Sequence, residues 1–131
     1  MANGSAAAAP GALERALAQA AVLLAERPDQ ALTQAEAILK QAPGLPPAEF
    51  LACQALRRLG KAKAALPRLA ALARRQPRVA ALQWELAQAA SEAGDSRQAV
   101  TALESLTRQQ PAVPGGWFLL AKELRKLRRE Q

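Results

Sequence analysis

The sequence predicts an all-α fold built from repeated helix pairs. Half of the 131 residues are apolar, and most of these are Ala and Leu, which favour helices over strands. The chain has four aromatic residues, and three of them are equally spaced, since Trp84 lies as far from Phe50 as it does from Phe118. Self-similarity at a fixed period of this length is typical of helical repeat architectures. The period therefore predicts one structural unit for each aromatic interval.

Three consecutive blocks, 12–45, 46–79 and 80–113, share this period. Each has a small residue at one matching position, a large aliphatic residue at a second and a proline at a third. These positions are Ala31, Ala65 and Ala99; Ile38, Leu72 and Leu106; and Pro43, Pro77 and Pro111.

Each block divides into two helices, which we name A and B. In the third block, helix A is predicted from Ala80 to Ala93, before the break at Gly94, and helix B from about Arg97 to Gln110. Helices of this length are marginal alone in water, so each must bury an apolar stripe on its neighbours.

The other two blocks follow the third with local differences. In the second block, helix B is predicted over 64–76, with Pro67 near its start, where a missing N–H costs little. The first block reads AERPDQ where the others have a turn glycine, which leaves its boundaries open by a few residues.

A single helix is predicted over about 114–130, after the third block. We expect it to cap the last helix pair. Its buried stripe is predicted from apolar spacing, with Trp117 packed on helix B of the third block. The stripe consists of Trp117, Leu120, Leu124 and Leu127.

Residues 12–131 are predicted to form one helical domain, after a flexible tail at 1–11. No segment approaches 18 unbroken apolar residues, so no membrane span is expected. Cys53, the single cysteine, cannot form an intrachain disulfide, which fits a reducing, cytoplasmic location.

The pattern resembles the tetratricopeptide repeat (TPR) family, whose unit is a helix-turn-helix of about 34 residues. Counting Ala80 as position 1, Leu86 and Ala87 stand at positions 7 and 8, Ala99 at position 20 and Pro111 at position 32, as the family pattern requires. The resemblance implies a right-handed superhelix of three helix pairs plus a C-terminal capping helix. It also implies a concave groove that binds a partner segment.

The same register applies to the first block with departures. Ala18 and Gln19 occupy its positions 7 and 8. Position 11 holds Val22, Leu56, Ala90 and Leu124 in the successive blocks, where the family has an aromatic residue.

The aromatic period predicts a binding surface on the A helices. A helix turns by about 100° per residue, so positions 5, 9 and 12 form a stripe directed away from helix B. The TPR resemblance implies that this stripe lines the groove, with an aromatic residue at position 5. An alternative is that the position-5 side chains only fill gaps between neighbouring A helices. The candidate partner-binding residues are Phe50, Gln54, Arg57, Trp84, Gln88, Phe118, Lys122 and Arg125.

The net charge of +7 bears on the partner. The second block alone has eight basic residues and one acidic residue. These cations are either a solvated face or a patch for an acidic partner segment. They form no continuous stripe along the array, which argues against a nucleic acid. The partner is therefore predicted to be a protein or peptide, and self-association stays open.

No catalytic motif is apparent. The sequence has no His, which removes the commonest general base and a common metal ligand. Cys53 falls at the small-residue position 8 and is predicted to pack, and acidic residues are expected mostly on outer faces. We therefore predict a non-enzymatic scaffold without cofactor or metal.

Two alternatives remain. The stretches PDQALTQAEAILKQAP and ELAQAASEAGDSRQAVTALESL are similar in style to the N-terminal repeat segments of bacterial TPR-containing sulfotransferase-like proteins. That likeness implies the repeat arm of a larger enzyme, which positions substrate or mediates oligomerisation. The other alternative is an RNA-binding helical repeat.

Overall fold

The structure, a computed structural model, describes residues 11–130. Residues 1–10, most of the predicted tail, lie outside the described part. Seven helices and no strand occur between residues 11 and 130. The helices are α1 (Ala12–Glu26), α2 (Pro28–Gln41), α3 (Pro46–Arg58), α4 (Ala62–Arg75), α5 (Ala80–Ala93), α6 (Ser96–Gln109) and α7 (Gly116–Glu130).

These helices confirm the predicted elements. Helix A of the third block has the predicted bounds, and helix B begins and ends one residue earlier than expected. Helix α4 continues through Pro67, its sixth residue, and ends at Arg75. Gly94 ends α5 in the left-handed conformation at φ 83°, which a glycine adopts without a Cβ penalty. The carboxylate of Asp95 then caps α6 by accepting from the N–H of Gln98 at 3.1 Å.

The helices fall into two compact units, with the boundary between Leu59 and Gly60. The first unit contains α1, α2 and α3. Helix α2 packs against both of the others, and α1 also contacts α3. Alanines dominate its core and let the helix backbones approach closely. One buried cluster of this core consists of Ala20, Leu24, Ala31, Ala35, Leu51, Ala52 and Ala55.

Helix α1 departs from the predicted register. Ala18 and Gln19, assigned to the packing positions 7 and 8, are both exposed, and the side chain of Val22 is 78% exposed. Ala20 and Leu24 are buried in their place. Arg27 alone separates α1 from α2, so residues that form the turn in the other blocks extend α1 instead. The residues of α1 that pack therefore lie about two positions later in the sequence.

The second unit contains α4 to α7, and each of these helices packs against the next. The sequence period is visible in its core, because Leu69 and Leu72 on α4 match Leu103 and Leu106 on α6, and all four are buried. No helix in residues 11–130 combines the length and hydropathy needed to cross a bilayer.

Helix α7 presents a different face to the unit from the one predicted. Leu120 is buried and Leu127 is half-buried, as expected, but Trp117 is 55% exposed and Leu124 is 41% exposed. Gly116 and Glu123 are buried instead. Gly116, Leu120, Glu123 and Leu127 form a stripe with helical spacing, and this stripe faces α6. The prediction that Trp117 packs on α6 is therefore wrong.

Candidate functional site

The first group of candidate residues lies on α3. Phe50, Gln54 and Arg57 are spaced by four and three residues, so they share one face of the helix. All three are half-buried. An aromatic ring, an amide and a guanidinium group therefore stand side by side on the first unit.

Trp84 and Gln88 form the second group, on α5. Both are half-buried. The Cη2 atom of Trp84 lies 3.7 Å from the point where a Cβ on Gly115 would stand. The tip of this indole thus packs against the loop that leads to α7, so part of the side chain has a structural role.

The third group lies on α7. Phe118, Lys122 and Arg125 repeat the spacing seen on α3, and all three are exposed. Phe118 is 73% exposed, more than any other aromatic residue of the chain. Its ring is open to solvent, and two cationic side chains stand beside it.

A buried polar cluster joins α7 to the two helices before it. Glu123 is fully buried. Ser91, on α5, donates to its Oε2 at 2.9 Å, and Ser96, on α6, donates to its Oε1 at 2.8 Å. Lys126 Nζ lies 3.0 Å from Oε2. Every oxygen of the carboxylate thus has a hydrogen-bond donor, which makes its burial tolerable.

The surroundings of Glu123 act on its pKa in opposite directions. Burial raises the pKa of the carboxyl, while the hydrogen bonds from Lys126, Ser96 and Ser91 and the charge of Lys126 lower it. The lowering effects together are the stronger, so the pKa of Glu123 lies below the ordinary value for glutamate.

Sequence reasoning missed this cluster because it assigned acidic residues mostly to outer faces. Most acidic residues in 11–129 are indeed exposed, and Glu123 and Glu85 are the two buried exceptions among them. One signal was present in the sequence: Glu123 follows Leu120 by three residues and precedes Leu127 by four. That spacing places it on the same helix face as two packed leucines.

Trp117 has a polar contact that the sequence did not predict. Its Nε1 donates to the carbonyl oxygen of Pro111 at 2.7 Å. One period earlier, Nε2 of Gln83 donates to the carbonyl of Pro77 at 3.4 Å. In both blocks the side chain at position 4 thus holds the loop that precedes its own helix.

The remaining candidate chemistry is limited. Cys53 is fully buried, as its small-residue position predicts. Within residues 11–130, no group of three His, Cys, Asp or Glu side chains is placed to hold a metal ion.

Comparison with known proteins defines the fold. The sequence matches no family model and no curated protein. A MamA RS-1 ArsTM double mutant is similar in structure, with a TM-score of 0.81 and 20% identity over 90% of this chain and 67% of that one. MamA 41-end from Desulfovibrio magneticus RS-1 gives a TM-score of 0.80 and 20% identity over 89% of this chain and 67% of its own.

A third similar structure is TTC0263, described as a thermophilic TPR protein of Thermus thermophilus. It gives a TM-score of 0.75 and 25% identity over 88% of this chain and 66% of its own. The chain thus spans about two thirds of the length of the proteins that it matches. The helix pairs, their shared sequence period and these likenesses together show that the chain has an all-α, TPR-like fold.

Proposed function

We propose that this chain is a non-catalytic scaffold that binds a partner protein through the aromatic faces of α5 and α7, the two A helices of the second unit. The observation that carries the proposal is the 73% exposure of Phe118. Burial of an exposed aromatic ring by a partner makes a large contribution to the binding free energy, because aromatic side chains bury a large area with few rotatable bonds.

The neighbours of Phe118 define the kind of partner. Lys122 and Arg125 are exposed on the same face, and Gln54 and Gln88 stand at positions equivalent to Lys122. Amides and cations can bond the polar groups of a peptide segment. We therefore expect a partner segment with an apolar side chain that packs on the ring of Phe118 and with carboxylates that pair with Lys122 and Arg125.

Paired surface variants test this function. Phe118→Ser removes the exposed ring, and Val22→Ser is the matched control, because Val22 is similarly exposed but lies outside the candidate set. Both variants should keep their unfolding free energy within about 0.5 kcal/mol, as is usual for surface substitutions.

The readout is capture of proteins from a lysate of the source organism by each immobilised variant, quantified by mass spectrometry. We expect proteins that the wild type and Val22→Ser capture equally and that Phe118→Ser loses. A capture profile that Phe118→Ser leaves unchanged would reject the proposed surface.

The acidic character of the partner has its own test. Lys122→Glu combined with Arg125→Glu should weaken capture of the same proteins at low salt and have less effect at high salt, because salt screens exposed charges. If the double variant binds these proteins as well as the wild type does at low salt, Lys122 and Arg125 do not contribute to binding.

The repeat arm of a larger sulfotransferase-like enzyme remains the alternative hypothesis. A reading frame that continues from this chain into a catalytic domain would favour it over the free-standing scaffold.

A further inference from the structure

Four arginines lie around the loop that joins α4 to α5. Arg74 and Arg75 are the last two residues of α4, Arg78 is in the loop, and Arg108 is in the last turn of α6. All four side chains are exposed. We call these four residues the arginine cluster.

Two hydrogen bonds bring the cluster to one edge of the second unit. Nε2 of Gln109, the neighbour of Arg108, donates to the carbonyl oxygen of Pro77 at 3.0 Å. Nε2 of Gln83, on α5, donates to the same oxygen at 3.4 Å. The end of α6 and the start of α5 are therefore both attached to the loop that contains Arg78.

The loop lies inside the helix array of the second unit. Helix α4 packs against α5, α5 packs against α6, and α6 packs against α7. The arginines of the loop thus stay exposed although the helices that follow the loop are in place.

The cluster has no compensating negative charge. Residues 60–84 contain no Asp or Glu, and neither do residues 105–122. Among residues 11–129, no carboxylate forms an ion pair with any of the four guanidinium groups. Neighbouring cations repel one another, so an anionic partner would relieve a repulsion that is present in the folded chain.

Helix ends explain only part of this charge. The last turn of a helix attracts cations, because the macrodipole places partial negative charge there, and Arg74, Arg75 and Arg108 occupy such turns. Arg78 lies three residues beyond the end of α4, where this effect has fallen off. One period later Ala112 stands at the equivalent position, so the repeat itself does not require a cation.

Val79 adds an apolar element beside Arg78. Its side chain is 41% exposed, and it is the one large hydrophobic residue that is exposed between residues 23 and 116. A partner at this loop therefore meets a single small apolar side chain next to several cations.

This composition disfavours a membrane surface and a single-stranded nucleic acid. Proteins that lie on a membrane bury a whole apolar helix face in it, and Val79 alone offers too little area. Proteins that bind single strands stack bases on aromatic side chains, and residues 60–79 and 96–109 contain none.

The spacing of the cations disfavours a nucleic-acid duplex. A duplex needs a continuous basic stripe. The next exposed cations on α4 and α6 are Lys63 and Arg97, eleven residues before Arg74 and Arg108, which is about 16 Å along each helix. The charge is thus confined to the loop edge, and a short acidic polypeptide fits a surface of this size.

We propose that the arginine cluster docks an acidic segment of a partner protein, which pairs carboxylates with the guanidinium groups and packs one apolar side chain on Val79. Guanidinium groups bind carboxylates through two parallel hydrogen bonds. Because Gln83 and Gln109 already hold the loop, binding needs little further ordering of the backbone. The surface is separate from the aromatic faces of α5 and α7 and does not depend on the function proposed for them.

The probe is a fluorescein-labelled synthetic peptide, EELEE, and its charge control is QQLQQ with the same label. Fluorescence anisotropy during titration with the 131-residue chain measures binding. At about 0.1 M salt we expect EELEE to bind about tenfold more tightly than QQLQQ, and the difference should shrink at about 1 M salt, because salt screens exposed charges.

Charge reversal locates the binding surface. Arg78→Glu combined with Arg108→Glu should weaken EELEE binding by about tenfold or more. The matched control is Arg27→Glu with Lys40→Glu, which changes the net charge equally in the first unit. Arg27 lies between two helices and Lys40 in a last turn, and both are exposed. This control should alter the affinity by less than about twofold, since distant exposed charges are screened.

Three results would overturn the proposal. One is an Arg78→Glu, Arg108→Glu chain, folded by circular dichroism, that binds EELEE as the wild type does. The others come from titration with a labelled RNA oligonucleotide of mixed sequence and from sedimentation with phosphatidylserine vesicles. If either ligand binds more tightly than EELEE and loses its binding on the same charge reversal, the cluster belongs to a nucleic acid or to a membrane surface.

A double-mutant comparison separates this surface from the one around Phe118. In a Lys122→Glu, Arg125→Glu background, reversal at Arg78 and Arg108 should still weaken EELEE binding by about tenfold, because effects at independent sites add. A chain that loses EELEE but still captures the Phe118-dependent proteins has lost the arginine cluster alone.

Discussion

At the scale of single residues, Glu123 has the largest consequences, since a buried carboxylate is stable only while its donors remain. It bonds Ser91, Ser96 and Lys126, so three helices depend on one side chain. Glu123→Gln keeps the size but loses the charge. We expect it to lower the unfolding free energy by about 1.5–3 kcal/mol, the usual worth of hydrogen bonds to a charged group.

Urea denaturation measures this loss, and Glu104→Gln on exposed α6 surface is the matched control. The control should change the unfolding free energy by less than about 0.5 kcal/mol. Equal unfolding free energies of the two variants would show that the charge of Glu123 makes no net contribution to stability.

The lowered pKa of Glu123 also predicts a pH dependence. The folded protein holds this proton less tightly than the unfolded chain does, so the carboxylate stabilises the fold at pH values above the ordinary pKa of glutamate. The contribution declines as the pH falls from there through the lower folded pKa. In urea titrations at several pH values, Glu123→Gln should lose less stability than the wild type over that acidic interval.

Gly116 is the second residue with a steric consequence. A Cβ at this position would clash with Cγ1 of Val113, a short and stiff side chain that cannot move aside easily. Gly116→Ala should therefore destabilise the chain by about 1–3 kcal/mol, the usual cost of overpacking.

A double-mutant cycle tests that clash. Val113→Ala should cost less in the Gly116→Ala background than in the wild type, and the double variant should be more stable than Gly116→Ala alone. Strictly additive effects, seen as a zero coupling energy in thermal unfolding, would contradict the steric account.

At the scale of elements, α7 is a helix with one covered face. The side that faces α6 buries Leu120 and Glu123, while Trp117 and Leu124, on another side, are exposed. The contribution of α7 to stability should therefore come mainly from the side that packs on α6.

Removal of α7 should therefore destabilise the second unit. Burial of one leucine side chain such as Leu120 contributes about 1.5–3 kcal/mol, and deletion of residues 114–131 also exposes Ser96 and Thr107 on α6. We expect the thermal midpoint to fall by at least about 5 °C, or the truncated chain to aggregate. A monomeric truncated chain with an unchanged midpoint would show that α7 is dispensable.

At the scale of the whole molecule, the two compact units do not coincide with the sequence repeats. Their boundary, between Leu59 and Gly60, separates helix A from helix B of the second block. The basic residues of that block are shared between the units, with Arg57 and Arg58 in the first and Lys61, Lys63 and four arginines in the second. The sequence of the first unit has five basic and five acidic residues, so the net charge of +7 lies entirely in the second unit.

Sequence alone determined the features that depend on local interactions. Glycine and proline end helices through backbone geometry, so Gly94, Pro111 and the shared period place the helices within a residue or two. The buried stripes of α4 and α6 follow from the same period, because apolar residues in those helices recur with helical spacing.

Tertiary structure decided which face each terminal helix buries. In α1, a single linking residue moved the packing positions from Ala18 and Gln19 to Ala20 and Leu24. In α7, apolar residues occur on two faces, so periodicity could not show that Leu120 packs while Trp117 and Leu124 stay in water. The reason is physical: a stripe becomes buried only where a neighbouring helix covers it, and that neighbour is supplied by the fold and not by the helix itself.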